Sequence, residues 1–288
     1  MVETVVKIKP NYSRSFLTAF VRMTEIEICS SGYIVYIIIN RNTRIHKRNY
    51  MQEDNLKKYK AACILLAGGR GERMGTEIPK QFLAVGRKSV IEYTLSAVFE
   101  WKRMDALIVV ADEKWRKSVT ELIQRVIPEK ISFAGFADPG KNRQLSILNA
   151  MNELKPHMEE GSYVMIHDAV RPCVSAKLIA GCDALLEKDC GVMPAVPVKD
   201  TIYESDGGAC AQKILNRDLL FAGQTPEFFD FNRYFEANET LLPDRIMDIR
   251  GSSEPAILAG MKVKMAPGDE GNFKLTTIED LERFKALV

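Results

Sequence analysis

The sequence predicts an α/β fold: a mainly parallel sheet with helices on both faces and a projecting β-hairpin arm. Three observations predict it. From Ala61 onward, short apolar runs alternate with helix-patterned segments, the pattern of strands joined by covering helices. Ser89-x-x-Glu92 and Thr276-x-x-Glu279 stand where helices would open, as capping boxes do. A glycine-rich turn follows directly on one apolar run.

Residues 1–60 read as an N-terminal extension ahead of one domain over 61–288. Within the extension, Tyr33–Ile39 is β-branched and aromatic enough for a strand, and Asn40–Lys60 is polar and basic, as in a linker. Met23 and Met51 are internal methionines; the extension is expected to be dispensable and partly disordered, or partly a misassigned start. Ala62–Leu66 reads as a buried strand. The Ser89 box opens a helix with Val90, Thr94, Ala97, Val98 and Trp101 along one side. Ala106–Val110 is the next strand. From Asn142 onward Leu145, Ile147, Leu148, Met151 and Leu154 give a helical stripe, and Tyr163–Ile166 and Val192–Val198 are further strands. Thr201–Glu204, the turn Ser205-Asp206-Gly207-Gly208 and Ala209–Leu215 form the hairpin, an arm over about 201–217. Asn272–Thr276 reads as a strand containing Lys274, and the Thr276 box caps a final helix with Leu281, Phe284 and Leu287 inward.

Bulk composition narrows the function classes. The chain is 46% apolar and 27% charged with a formal net charge of +2, which gives no case for nucleic acid or an anionic membrane as partner. The sign is uneven: residues 1–60 carry eleven Lys and Arg against five Asp and Glu, the remainder 29 against 33. Six cysteines (Cys29, Cys63, Cys173, Cys182, Cys190, Cys210) form no C-x-x-C pair and no zinc spacing with histidine, so they read as free thiols of a reducing cytoplasm. No run approaches the roughly 20 apolar residues of a membrane span, and the first residues lack a signal-peptide layout.

The chemistry concentrates at Leu65-Leu66-Ala67-Gly68-Gly69-Arg70-Gly71-Glu72-Arg73-Met74, followed by Pro79-Lys80-Gln81. Three glycines within four residues let backbone N–H groups approach an anion, while Arg73 and Lys80 can neutralise charge on a phosphorus under attack. The run is no P-loop, since G-x-x-x-x-G-K-[ST] is absent, and Met74 stands where a dinucleotide fingerprint needs its third glycine. The remaining candidates fall after strands or in loops: Arg143, Ser146, Asp168, Arg171, Thr201, Arg217, Thr225 and Lys274. Asp168 ends an apolar strand, where it could hold a hydroxyl or a Mg²⁺ carried by a nucleotide, or simply cap a helix. No G-x-S-x-G elbow supports a serine triad.

Taken together, Ala67–Met74, Pro79-Lys80-Gln81, His167-Asp168-Ala169-Val170-Arg171-Pro172, Lys199-Asp200-Thr201, Asn216-Arg217, Gln224-Thr225-Pro226 and Asn272-Phe273-Lys274-Leu275-Thr276 resemble the 2-C-methyl-D-erythritol 4-phosphate cytidylyltransferase family over about residues 60–288. The resemblance implies a Rossmann-like fold of the nucleotide-diphospho-sugar transferase type and a cytoplasmic homodimer whose arm reaches the neighbouring subunit's site. It implies CTP and a polyol phosphate as substrates and Mg²⁺, or another divalent cation, as cofactor. Arg73, Lys80 and Lys274 are its implied catalytic residues. Ala67, Gly68, Gly69, Gly71, Gly140, Arg143, Ser146, Asp168 and Ala169 are implied around the nucleotide, and Asp168, Arg171, Thr201, Arg217 and Thr225 around the acceptor. No side chain is assigned to the metal, Asp168 excepted as a candidate.

The implied reaction is an in-line displacement in which the acceptor phosphate attacks the α-phosphorus of CTP. The nucleophile is already anionic, so positioning and charge neutralisation carry catalysis. Glycine and alanine backbone groups in a small pocket favour cytosine over a purine. Two departures stand out. Family members usually carry a Thr-Asp-Asp/Glu-type run where this chain has Met247–Glu254, in which Asp248, Ser252 or Glu254 could substitute, and Lys141 stands where an acidic residue is common. Relatives that make CDP-ribitol from ribitol 5-phosphate provide the alternative acceptor. A non-catalytic homologue would have lost the triphosphate cations, yet Arg73, Lys80 and Lys274 are all present.

Overall fold

The computed structural model describes residues 57–69 and 78–288, together with the backbone of two short strands, β1 (Thr4–Val6) and β2 (Ile37–Ile39). The chain divides into units 1–57 and 58–288. In the first, β1 and β2 pair antiparallel, Val5 opposite Ile38. The strand expected at Tyr33–Ile39 is found at Ile37–Ile39; its other residues lie outside the described ones, as do Cys29, Arg70, Gly71, Glu72 and Arg73.

The second unit is built on an eight-stranded sheet. Along the chain come β3 (Tyr59–Leu66), the small pair β4 (Ala84–Val85) and β5 (Lys88–Ser89), helix α1 (Val90–Val98), β6 (Ala106–Val110), α2 (Glu113–Val126), β7 (Ser132–Ala137), α3 (Arg143–Leu154) and β8 (Met158–Asp168). Then follow α4 (Ala176–Asp183), β9 (Cys190–Pro197), the arm strands β10 (Tyr203–Ser205) and β11 (Ala211–Ile214), β12 (Phe221–Gly223), β13 (Glu227–Asp230), α5 (Phe231–Glu239), α6 (Glu254–Leu258), β14 (Lys262–Pro267) and α7 (Ile278–Lys285). The order across the sheet is β12-β9-β13-β8-β3-β6-β7, with β14 along β9. β8, β3, β6 and β7 run parallel, as do β9 and β14; β13 runs antiparallel to both β8 and β9, and β12 antiparallel to β9.

Both faces of the central strands are buried, which is why they read as unbroken apolar runs. The two-residue period of a strand sorts them: Cys63, Leu65, Leu107 and Val109 pack with α1, α2 and α4, whereas Ala62, Ile64, Ala106, Ile108 and Val110 pack with α3 and α5. β13 shows the same division, Phe228 on the first face and Phe229 on the second. Phe229 lies opposite Gly191, where a Cβ would meet its ring at 2.6 Å, so only glycine admits this side chain. A smaller cluster of Val85, Val90, Val170, Leu275 and Phe284 seats α7.

Most element boundaries follow from local chemistry. Ser89 and Glu92 close their capping box, and Trp101 lies just past α1, buried and donating to Asp183 through Nε1 at 2.9 Å. Three expectations change. The last helix is capped one residue later, by Thr277 and Asp280, because the Asp280 carboxylate accepts from the backbone of both Thr276 and Thr277. The helix ends at Lys285, which leaves Leu287 exposed. Lys274 lies in an extended loop without strand pairing, tied to the core where Leu275 N–H donates to Val170 O. The arm is a hairpin of exposed residues separate from the main sheet.

Ile108 is fully buried at the sheet centre. Ile108→Ala is expected to cost about 2–5 kcal/mol in urea denaturation; a loss below about 1 kcal/mol would exclude a close-packed position.

Candidate active site

The carboxyl ends of β3, β6 and β8 open onto a cleft of about 480 Å³ whose polar lining includes Gly68, Gly69, Lys80, Arg143, Asp168 and Lys274. Ligand sites of open α/β sheets form at such ends. One wall begins where β3 stops: Ala67 N–H still bonds to Val110 O at 2.9 Å, after which the chain turns away. Gln81 holds that turn, its amide donating to Ala67 O at 2.6 Å and Gly69 O at 3.0 Å. Gln81 belongs to the short helical turn that carries Lys80 into the cleft.

The opposite wall is residues 139–146 and the start of α3. Asn142 caps the helix by accepting from Leu145 N–H at 2.8 Å and ties it to Ile246 O. Ser146 Oγ accepts from Gly140 N–H and donates to Asn142 O, each at 2.9 Å. A Cβ on Gly140 would lie 2.4–2.8 Å from atoms of Leu145 and Ser146, two of them backbone. The unsatisfied N–H groups and dipole of the α3 N-terminus favour an anion here.

Asp168, the last residue of β8, lies between the walls. Its Oδ1 accepts from Arg143 Nε at 3.2 Å and Nη2 at 3.0 Å; its Oδ2 accepts from Lys274 Nζ at 2.9 Å. Arg171 Nε stands 3.9 Å from Oδ2, buried and without a hydrogen bond, while its Nη1 donates to Asn272 O. Burial alone would raise the Asp168 pKa, but Arg143 and Lys274 hold it well below the usual carboxylate range. One carboxylate therefore orders three cations and leaves a positive excess toward the cleft.

Asp168 is set in place from beneath. Its backbone N–H donates to Thr225 Oγ1, the Thr225 hydroxyl bonds to His167 Nδ1 at 3.1 Å, and His167 Nε2 bonds to Arg171 O. The bond to Arg171 O places a proton on Nε2, and burial favours the neutral imidazole, whose Nδ1 then accepts from Thr225. Burial lowers the His167 pKa to about 4, against partial compensation from Asp168.

A second buried carboxylate stands behind Arg143. Glu227 accepts from the Ser252 and Ser253 hydroxyls, and Arg143 Nη1 donates to Ser252 Oγ at 2.5 Å. Within Met247–Glu254 only Ser252 makes this link. Asp248 is exposed, and Glu254 accepts from Arg250 N–H.

The structure thus gathers Gly68, Gly69, Lys80, Gly140, Arg143, Ser146, Asp168 and Lys274 around the cleft. Ala67 is buried beside it, and Ala169 is buried in the core with its N–H on Leu66 O. Thr225 is buried and its hydroxyl engaged as above. Thr201 and Arg217 are exposed at the base of the arm, Arg217 donating to Lys199 O, and do not line the cleft. Arg73 and Gly71 lie outside the described residues. Sequence reasoning left out Gln81 and Asn142 as site-shaping residues, although an Asn before a helical stripe is a cap signal, and it left out Glu227, whose place depends on the strand order.

A glycine-walled cleft with convergent cations at the carboxyl ends of a mostly parallel sheet defines an α/β nucleotidyltransferase. The family model described as "IspD: 2-C-methyl-D-erythritol 4-phosphate cytidylyltransferase" matches residues 61–288. The chain belongs to this family. It is 33% identical over 220 residues to 2-C-methyl-D-erythritol 4-phosphate cytidylyltransferase of Clostridium beijerinckii, covering 76% of this chain and 94% of that one. It is 32% identical over 238 residues to the bifunctional enzyme IspD/IspF of Rhizobium etli, covering 80% of this chain but 57% of the relative, so the chain spans little more than half the length of such bifunctional proteins. Among solved structures, 4-diphosphocytidyl-2C-methyl-D-erythritol synthase of Anaerococcus prevotii superposes with a TM-score of 0.66 at 27% identity, covering 80% of this chain and 96% of that one. Among the described residues, no helix is long and apolar enough to cross a membrane.

Gly140→Ala is expected to weaken nucleotide binding at least about tenfold, since backbone must move to admit the methyl group; unchanged binding by calorimetry would show that the wall relaxes freely. A second expectation concerns pH. His167 has a folded pKa below its unfolded value of about 6.5, so its contribution to stability is complete above that value and falls as pH drops toward 4. Denaturant midpoints at pH 7 and pH 5 should differ more for the wild type than for His167→Gln; equal differences would remove His167 as the source.

Proposed function

We propose that this chain transfers a cytidylyl group from CTP to 2-C-methyl-D-erythritol 4-phosphate, releasing diphosphate. The observation that carries the reading is the Asp168 cluster, which orders Arg143 and Lys274 on the lining of a glycine-walled cleft, with Arg171 half-buried beside Asp168. An oxygen of the acceptor phosphate attacks the α-phosphorus of CTP. The bridging α–β P–O bond breaks, and its electron pair leaves with diphosphate. The nucleophile needs no deprotonation, so the work of the side chains is orientation and charge neutralisation.

In this reading the 140–146 wall and the glycine turn hold cytosine and ribose. Lys80 and Lys274, with Arg73, hold the triphosphate. Arg171 receives the acceptor phosphate, with Asp168 as its ordering anion. Thr201 and Arg217 stand on the arm, whose Tyr203 and Ile214 are 55% and 63% exposed. Apolar exposure of that kind suits a partner surface, and a homodimer would bring the arm to the neighbouring site. Domain limits of 1–60 and 61–288 accompany this reading.

Among the described residues, no cluster of three or more potential ligands forms a metal cage. Among the described residues, Asp168 is the one carboxylate lining the cleft, and both its oxygens already accept from cations. This donor set fits a Mg²⁺ that arrives on phosphate oxygens and retains waters, with Asp168 as a protein carboxylate that could hold it. Bound there, the ion would supply neutralisation of phosphate charge.

The test is diphosphate release from CTP and Mg²⁺ with 2-C-methyl-D-erythritol 4-phosphate or ribitol 5-phosphate. Release is expected with the first. Lys274→Ala should lower kcat at least about 100-fold, the scale of losing one charge-stabilising group, without changing the circular dichroism spectrum. Release with ribitol 5-phosphate alone would reassign the acceptor, and release with neither would overturn the reading.

A further inference from the structure

Glu227 is a carboxylate on an interior strand, at the end of the sheet that carries the site. It opens β13, pairs with Ile166 of β8 and is 6% exposed. Burying such a charge is costly unless hydrogen bonds and an opposite charge compensate it, and an apolar residue would serve packing better. Its compensation is specific. Ser252 Oγ donates to one carboxylate oxygen and Ser253 Oγ to the other at 2.5 Å, and Arg143 Nη2 lies 4.0 Å from the first.

Burial raises the Glu227 pKa, and Arg143 with the two serine hydroxyls opposes that rise; with Glu227 ionised, the directions of these bonds are fixed. Guanidinium groups only donate and ionised carboxylates only accept. Ser252 Oγ accepts from Arg143 Nη1, so its single proton goes to Glu227. The other edge of Arg143 donates from Nε and Nη2 to Asp168 Oδ1. Two carboxylates, one direct and one relayed by a hydroxyl, thus fix two edges of the guanidinium plane.

We propose that Glu227 is a positioning residue for the cytidylyl-transfer site, orienting Arg143 through the Ser252 hydroxyl. The inference rests on the proposed function only for what Arg143 then does to substrate. Simple anchoring of residues 251–254 does not account for Glu227, because that segment is held independently. Tyr234 Oη donates to Ser252 O at 2.6 Å, and Pro255 and Ala256 are buried.

The experiment combines diphosphate-release kinetics on the full chain with crystal structures, using Glu227→Ala, Glu227→Gln, Ser252→Ala, Ser253→Ala and the double variant Glu227→Ala/Ser252→Ala. Glu227→Ala and Ser252→Ala should each lower kcat/KM about 10- to 100-fold, as misplacement of a binding group does, and the double variant should be no worse than the poorer single one. Glu227→Gln can accept from Ser252 and donate to Ser253, so it should remain within about threefold of wild type. Ser253→Ala, which leaves the relay intact, should do the same. In the Glu227→Ala crystal structure Arg143 should have left Ser252. Wild-type kinetics for Ser252→Ala, multiplicative losses in the double variant, or an unmoved Arg143 would overturn the inference. If Glu227→Ala does not fold, Ser252→Ala against Glu227→Gln decides it. A wild-type enzyme inactive with CTP overturns this inference with the functional reading; an active wild type matched by Ser252→Ala overturns this inference alone.

Discussion

The ion cluster around Asp168 is the constraint on which the remaining site geometry depends. A buried carboxylate could not stay ionised alone, and the cations around it would repel one another without it. Arg143 comes from the start of α3, Lys274 from the loop before α7, and Arg171 from the turn after β8. Three segments distant in sequence are thereby drawn to the end of one strand. The backbone accommodates this through Thr225 and His167, which satisfy the Asp168 N–H and Arg171 C=O from below.

Charge balance explains why such a cluster suits anionic substrates. Asp168 neutralises part of the charge of Arg143, Arg171 and Lys274 and is too little to cancel it. Incoming phosphates can share the same donors while the lysine and arginines remain aligned. The walls add directional N–H groups, from the turn held by Gln81 and from the α3 N-terminus.

Much of this was legible in the sequence because it is local. Ala106–Val110 was recognisable as a strand since both its faces are buried, Ser89 announced its helix by capping chemistry, and α3 showed in its apolar stripe. Asp168, Arg143 and Lys274 could be named from their motifs, yet their mutual contact could not, being a product of strand order. Lys274 read as part of a strand because Phe273 and Leu275 alternate around it; both instead pack with the cluster beneath α7 without any ladder. Helices α2, α4, α5 and α6 and strands β7, β12, β13 and β14 escaped notice; in β7, Gly135 interrupts the apolar run with a positive φ of 104°. The role of Glu227 was illegible for a related reason. Its partners Ser252 and Ser253 follow 25 and 26 positions later, and no periodicity connects them.

The reversed course of β13 carries a consequence for how this protein can change over evolutionary time. A strand running against its neighbours presents its first residue, not its last, to the functional end of the sheet. The Phe228-Phe229 pair fills the interior on both sides, with Gly191 admitting the second ring. A slip of one position would exchange the two faces and carry the carboxylate away from Ser252. The address of a polar group in the site is therefore written in the volume of two hydrocarbon rings. Divergence at this strand must proceed by concerted exchanges, in which interior volume and site chemistry drift together or not at all.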